Sequence, residues 1–99
     1  MRVVLAPAAQ RELKHQLQYL IDHDAAQAAR HLERRLVAYI DQTLIFAPRS
    51  GKHLAHRGLW EIWVPRTRLV LWYRFDTDTL EIARVWHTAQ DRSSDPIEP

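Results

Sequence analysis

The feature that most limits how this chain can fold is a change of hydrophobic period near its middle. Between Pro7 and Leu44 the apolar residues recur every three or four positions, whereas from Leu59 to His87 they recur mostly at every second one. A helix places one stripe on its surface at the first spacing and a strand presents one face at the second. A helical block must therefore precede a sheet block. In the first block Leu13, Leu17, Leu20 and Ile21 form one stripe behind Pro7, a residue suited to the first turn of a helix. Asp22-His23-Asp24 interrupts it, with Asp24 and Gln27 spaced as a helix cap. A second stripe follows through Ala25, Ala29, Leu32, Leu36, Tyr39, Ile40 and Leu44, until Pro48. Two helices separated by so few residues must fold back as an antiparallel hairpin.

Ahead of the hairpin, Arg2 to Ala6 reads as a short strand rich in β-branched residues. Behind it, a polar linker from Pro48 to His56 leads into three strand-like segments, Leu59–Val64, Thr67–Phe75 and Leu80–His87. Pro65-Arg66 and Asp76-Thr77-Asp78 are short enough to make these an antiparallel meander. The expected fold is α+β, in the order β-α-α-β-β-β, with the hairpin covering one sheet face. Residues 1–92 are expected to form one domain and 93–99 a loose tail, since 99 residues bury enough surface for one core only.

Composition narrows the function classes. The chain has no cysteine, which removes disulfides and thiolate metal sites. No run of about 18 apolar residues and no secretory h-region occurs, so a cytoplasmic place without membrane contact is expected. The net charge is only +2, yet Arg49, Lys52, Arg57, Arg66, Arg68 and Arg74 face a single acid, Glu61, over that stretch. Such an excess favours an anionic partner, nucleic acid or acidic protein. Arg68, Arg74 and Arg84 fall on strands, where burial without partners is costly, so one sheet face is expected to be an open basic platform. It either solvates the face or docks phosphate or carboxylate. His87, at the end of the last strand near Arg84, is either an ordinary hydrogen-bonded residue or a general acid for phosphodiester cleavage. His53 and His56 lack a carboxylate at matching spacing, and the two glycines, Gly51 and Gly58, make no phosphate loop. No metal and no cofactor is expected. At least two of Trp60, Trp63, Trp72 and Trp86 are expected in the core.

Two strings carry a family resemblance. Arg68-Leu69-Val70-Leu71-Trp72-Tyr73 is similar to the Arg-apolar-apolar-x-Tyr strand of the RelE/ParE superfamily of toxins. Ala83-Arg84-Val85-Trp86-His87-Thr88-Ala89-Gln90-Asp91-Arg92 resembles the Arg-Val-x-His ending common in its ParE-like members. The element order and the Pro-x-x-Gly linker at Pro48–Gly51 match as well. The resemblance implies the toxin of a type II toxin-antitoxin module, acting in growth inhibition and plasmid stabilisation, with an antitoxin whose C-terminal segment is extended or helical and folds on binding; the basic stretch leads us to expect that this tail is acidic. Its ParE-like branch implies inhibition of DNA gyrase by binding, and Arg49, Lys52, Arg57, Arg66, Arg68 and Arg74 are the residues expected to bind either the target or the antitoxin. Its RelE-like branch implies a ribosome-dependent, metal-independent mRNA endonuclease (an mRNA interferase), with Arg68 and Arg84 on phosphate and His87 as acid. Glu61 and Trp63 stand where that branch carries lysines, and no tyrosine follows Tyr73. Gly58-Leu59-Trp60-Glu61-Ile62 is similar to a motif of HigB-like ribonucleases, with Trp63 in place of the arginine that normally follows. A non-catalytic binding module is the third reading.

Overall fold

A computed structural model describes residues 1–92, and the expected loose tail, 93–99, lies outside the described residues. The helices are α1 (Pro7–Asp22) and α2 (Ala26–Gln42), and the strands are β1 (Arg2–Leu5), β2 (Lys52–Leu54), β3 (Leu59–Trp63), β4 (Leu69–Phe75) and β5 (Thr79–His87). The strands form one mixed sheet in the order β1-β5-β4-β3-β2. β1 lies parallel to β5, and every other pairing is antiparallel. The α+β order is the expected one, with β2 as an addition inside what reads as a polar linker. No described helix is long and apolar enough to cross a membrane.

The helical hairpin turns where the sequence interrupts its stripe, but by a different device from the expected cap. Asp24 has a left-handed backbone, φ 57°. The Ala25 N–H donates to Leu20 O at 2.8 Å and the Asp24 N–H to Ile21 O at 3.2 Å. That is the pattern of a Schellman terminator, in which a left-handed residue lets the chain cap its own last carbonyls. Asp24 therefore ends α1 and does not cap α2, whose N-cap Ala25 has no side chain suited to the task.

Between hairpin and sheet lies the main core. Ala9, Leu36, Ile40 and Leu44 meet Leu69, Leu71, Tyr73, Leu80, Ile82 and Val85 there, all at most 5 % exposed. Within it, a buried phenol orders the linker. The Tyr73 hydroxyl donates to Pro48 O at 2.7 Å and accepts a backbone hydrogen bond from Gly51. Gly51 sits so close that a Cβ there would lie 2.6 Å from both Glu61 O and the Tyr73 oxygen. The Pro-x-x-Gly sequence is thus a turn shaped around this hydroxyl, and it delivers β2 to the edge of β3.

The opposite sheet face corrects the expected open basic platform. It holds a second buried cluster of Leu59, Val70, Trp72, Ala83 and Trp86, to which no described helical residue belongs. Trp72 and Trp86 meet edge to face at 5.2 Å. The Arg57 guanidinium lies 4.9 Å from the Trp72 ring and that of Arg84 4.2 Å from the Trp86 ring. Arginines spread over indole faces in this way cover apolar surface while keeping their charge partly hydrated. Glu61 completes the cover, accepting from Trp72 Nε1 at 2.8 Å and from Arg92 Nε at 3.2 Å. Trp72 and Trp86 are the expected core indoles, whereas Trp63 is 61 % exposed on the same face.

Two outcomes test the phenol's role. Burial pushes the Tyr73 pKa up from 10.0 to about 12, against the opposing Gly51 hydrogen bond. The folded state thus favours the neutral phenol. Its contribution is complete below the unfolded value and is lost as pH climbs from about 10 to about 12. Alkaline unfolding followed by tryptophan fluorescence should show this dependence, and Tyr73→Phe should remove it. Gly51→Ala should lower stability by about 1–3 kcal/mol in urea unfolding, because neither the carbonyl nor the ring can retreat from the added methyl.

Candidate functional site

The two helices, the turn between β3 and β4 and the end of β5 assemble a cleft where the hairpin meets one end of the sheet. Between β3 and β4, the Thr67 N–H closes on Val64 O at 3.2 Å. Pro65 occupies the second turn position, and Arg66 the third with φ 60°. That conformation suits glycine, so an arginine holds it at a cost of roughly 1 kcal/mol or more. The turn is held from both sides. Thr67 Oγ1 donates to Val64 O at 2.8 Å, and Arg35 of α2 donates to Arg66 O at 2.9 Å. Arg66 and Arg68 therefore stand beside the hairpin. His87 joins them because it faces Leu69 across the β4–β5 pairing, and the Thr88 N–H bonds Arg68 O at 2.9 Å.

The resulting cavity is about 790 Å³. Leu20, Leu32 and Leu69 are among its apolar lining, and its polar lining includes Arg35, Arg66, Arg68, His15, His31 and His87. Among the described residues, no carboxylate lines it. A pocket with an apolar floor and such a rim selects for negative charge carried on an apolar body.

Of the three residues expected to carry catalysis, Arg68 and His87 share this cavity and Arg84 does not. Arg84 lines a neighbouring cavity of about 560 Å³ with Arg11 and Glu12. Its Nε donates to Glu12 Oε2 at 2.7 Å, and both side chains are largely covered. His87 Nδ1 accepts the Ala89 N–H at 3.1 Å, which leaves the proton of the neutral ring on Nε2. The bulge on β5 explains the separation. Trp72 pairs with Arg84 and Tyr73 with Ile82, so Ala83 is an extra residue that sets Arg84 on the face of Trp72, away from the cleft, where Glu12 of α1 reaches it.

The remaining basic residues are dispersed. Arg74 is half-exposed and bonds Glu81 at 2.7 Å. Arg49 lies 5.7 Å from the Phe75 ring centre, Arg57 covers Trp72, and Lys52 is exposed on β2 opposite Glu61. Only Arg66 and Arg68 of the expected binding set enter the cleft. Sequence reasoning missed Arg35, His15, His31 and Glu12. His31 and Arg35 are one helical turn apart and flank Leu32, so their common face was open to inspection. Glu12 gives no such signal, because its partner is 72 residues away. No group of three side chains among the described residues is placed to hold a metal ion.

Residues 3–92 match the family profile described as ParE toxin of type II toxin-antitoxin system, parDE. Among solved structures, a chain described as the chromosomal ParDE TA system from P. aeruginosa has the same fold at a TM-score of 0.71. Its sequence is 12 % identical, and the alignment covers 88 % of this chain and 95 % of that one. No curated protein sequence matches this chain.

The two arginines should respond differently to truncation. Arg68→Ala, at an exposed position, should change stability by less than about 0.5 kcal/mol. Arg84→Ala leaves the covered carboxylate of Glu12 without its ion-pair partner and should cost about 1–3 kcal/mol. Thermal unfolding of both variants decides it, and equal shifts would contradict the geometry described.

Proposed function

The chain belongs to the ParE toxin family of type II toxin-antitoxin systems, and on that premise we propose that it inhibits DNA gyrase by binding, until an antitoxin with an acidic C-terminal tail silences it. Residues 1–92 act as the toxin domain, and the cleft between hairpin and sheet is the principal binding surface, with Arg66 and Arg68 at its rim. The observation that carries a binding function is that the candidate catalytic groups do not converge. Arg84 is tied to Glu12 in a separate cavity. His87 lies in the other cavity, beside Arg66 and Arg68, with Nδ1 engaged by the Ala89 N–H.

Two further contacts argue the same way. The ribonuclease branch resembled by the sequence places cations on the first meander strand, where a scissile phosphate gathers negative charge. Here Glu61 brings a carboxylate, held by Trp72 and Arg92. The Tyr73 phenol, the last in the sequence, is committed to the Pro48–Gly51 turn and titrates near 12, far from the range useful to a general acid. The cation-rich cleft and the apolar floor beneath it support an acidic antitoxin tail, since they suit a folded-on-binding segment with alternating anchors and charges.

The purified chain should block supercoiling of relaxed plasmid by gyrase and leave ribosome-bound message intact. His87→Gln should retain that inhibition nearly in full, whereas a proton-transfer role would cost about 10²–10⁴-fold. Cleavage of translated message at codon boundaries, abolished by the same substitution, would instead establish the ribonuclease reading.

A further inference from the structure

Trp63 carries an indole that its own fold does not use. It is 61 % exposed, and among the described residues its side chain has no aromatic or cationic neighbour and no hydrogen bond. The row it begins runs across the face of the sheet that no helix covers. Trp63 pairs with Val70 of β4, and Val70 pairs with Trp86 of β5. Val70 is fully buried and Trp86 is 6 % exposed, so the row passes from core to open solvent within two strand spacings, roughly 10 Å. One polar group in it is also left over. Among the described residues, Trp86 Nε1 is buried and has no hydrogen-bond partner. A buried donor in that state is costly and calls for an explanation.

The charges around the row decide what can cover it. Glu61 and Glu81 stand on the strands of this face, and several of its guanidinium groups are already in ion pairs: Arg74 with Glu81, Arg92 with Glu61 and Arg84 with Glu12. A nucleic-acid backbone, which binds by gathering unmatched cations, finds little here. A second copy of the chain fits no better, because a two-fold contact would set Lys52, Arg57, Arg74, Arg84 and Arg92 against themselves. What fits is a different protein with an apolar socket and carboxylates around it. The seven residues of β4, at about 3.4 Å each, and the four strands β2 to β5, about 4.8 Å apart, give the face roughly 450 Å². That approaches the roughly 500 Å² each partner contributes at the lower limit of a specific interface, so the whole face is needed.

We propose that this helix-free face is where gyrase docks, with Trp63 as the anchor that enters a socket on gyrase, beside the unpartnered Trp86. The assignment rests on the reading of the chain as a gyrase inhibitor. A tryptophan suits the role because one side chain removes a large apolar area from water and carries a donor of its own. The face also lies across the sheet from the cleft. Gyrase and an acidic antitoxin segment therefore approach the chain from opposite sides.

The experiment uses the full chain and purified gyrase. Trp63→Ala should raise the concentration needed for half-inhibition of supercoiling at least about thirtyfold, the loss typical of a central tryptophan anchor. Trp63→Phe, which keeps a ring, should lose less. Thermal unfolding should show both variants folded, since an exposed side chain carries little of the stability. Phe46→Ala, at a position 78 % exposed in the turn after α2, should leave inhibition unchanged. A photoreactive benzophenone amino acid placed at position 63 should attach to a gyrase subunit when the complex is irradiated. Full inhibition by Trp63→Ala, an equal loss in Phe46→Ala, or attachment to the DNA or to a second copy of the chain would each overturn the site. The two readings fail differently. No inhibition by the unaltered chain sinks the gyrase reading and this site together, whereas inhibition that survives Trp63→Ala sinks the site alone.

Discussion

A buried hydroxyl has to find partners, and much of this structure follows from where the Tyr73 phenol finds them. Its ring lies in the main core with no exposed surface, so an unpaired oxygen would cost on the order of 1–3 kcal/mol. The turn Pro48–Gly51 wraps that oxygen, with a carbonyl on one side and an amide on the other. Once the turn is anchored, the chain beyond it has little choice of path. β2 is laid against β3, His53 stacks on Trp60 at 4.6 Å, and Arg57 is brought over Trp72. One interaction inside the core thereby organises the cover of the opposite face.

That face shows how a small sheet with helices on one side manages the other. Hydrophobic residues there are too few to attract a second layer and too many to leave bare. Indoles packed edge to face, with guanidinium groups spread upon them, remove apolar area from water at little cost in charge burial. The arginines that read as a docking platform in the sequence are in part a roof. Their charge still counts toward the field around the protein, but their geometry is set by the tryptophans beneath them.

The binding side depends on two local departures from regular structure. A left-handed arginine at position 66 and a bulge at Ala83 each carry a cost, and each aims an arginine. Arg66 is aimed at the cleft, and Arg84 is set over Trp86 on the opposite face. The family assignment implies an antitoxin partner. The cleft's composition, apolar below and cationic at the rim, follows from two helices and a sheet edge meeting with unlike faces. Its dimensions suit a segment of protein better than an isolated small anion, because the apolar floor would otherwise stay wet.

The residue order by itself determined the helical hairpin, the alternating strands, the α+β order and the family resemblance. All of these rest on period and on short strings, which neighbouring residues carry between them. Arg68 and His87, singled out from their places at strand ends, line the same cavity. What only the tertiary structure decided is which cations act together. Arg84 paired with Glu12, Arg57 over Trp72, Arg35 on the Arg66 carbonyl and the extra residue at Ala83 all depend on contacts across long stretches of chain. Charge in a sequence has no direction until packing gives each side chain one neighbour to pair with and one surface to face.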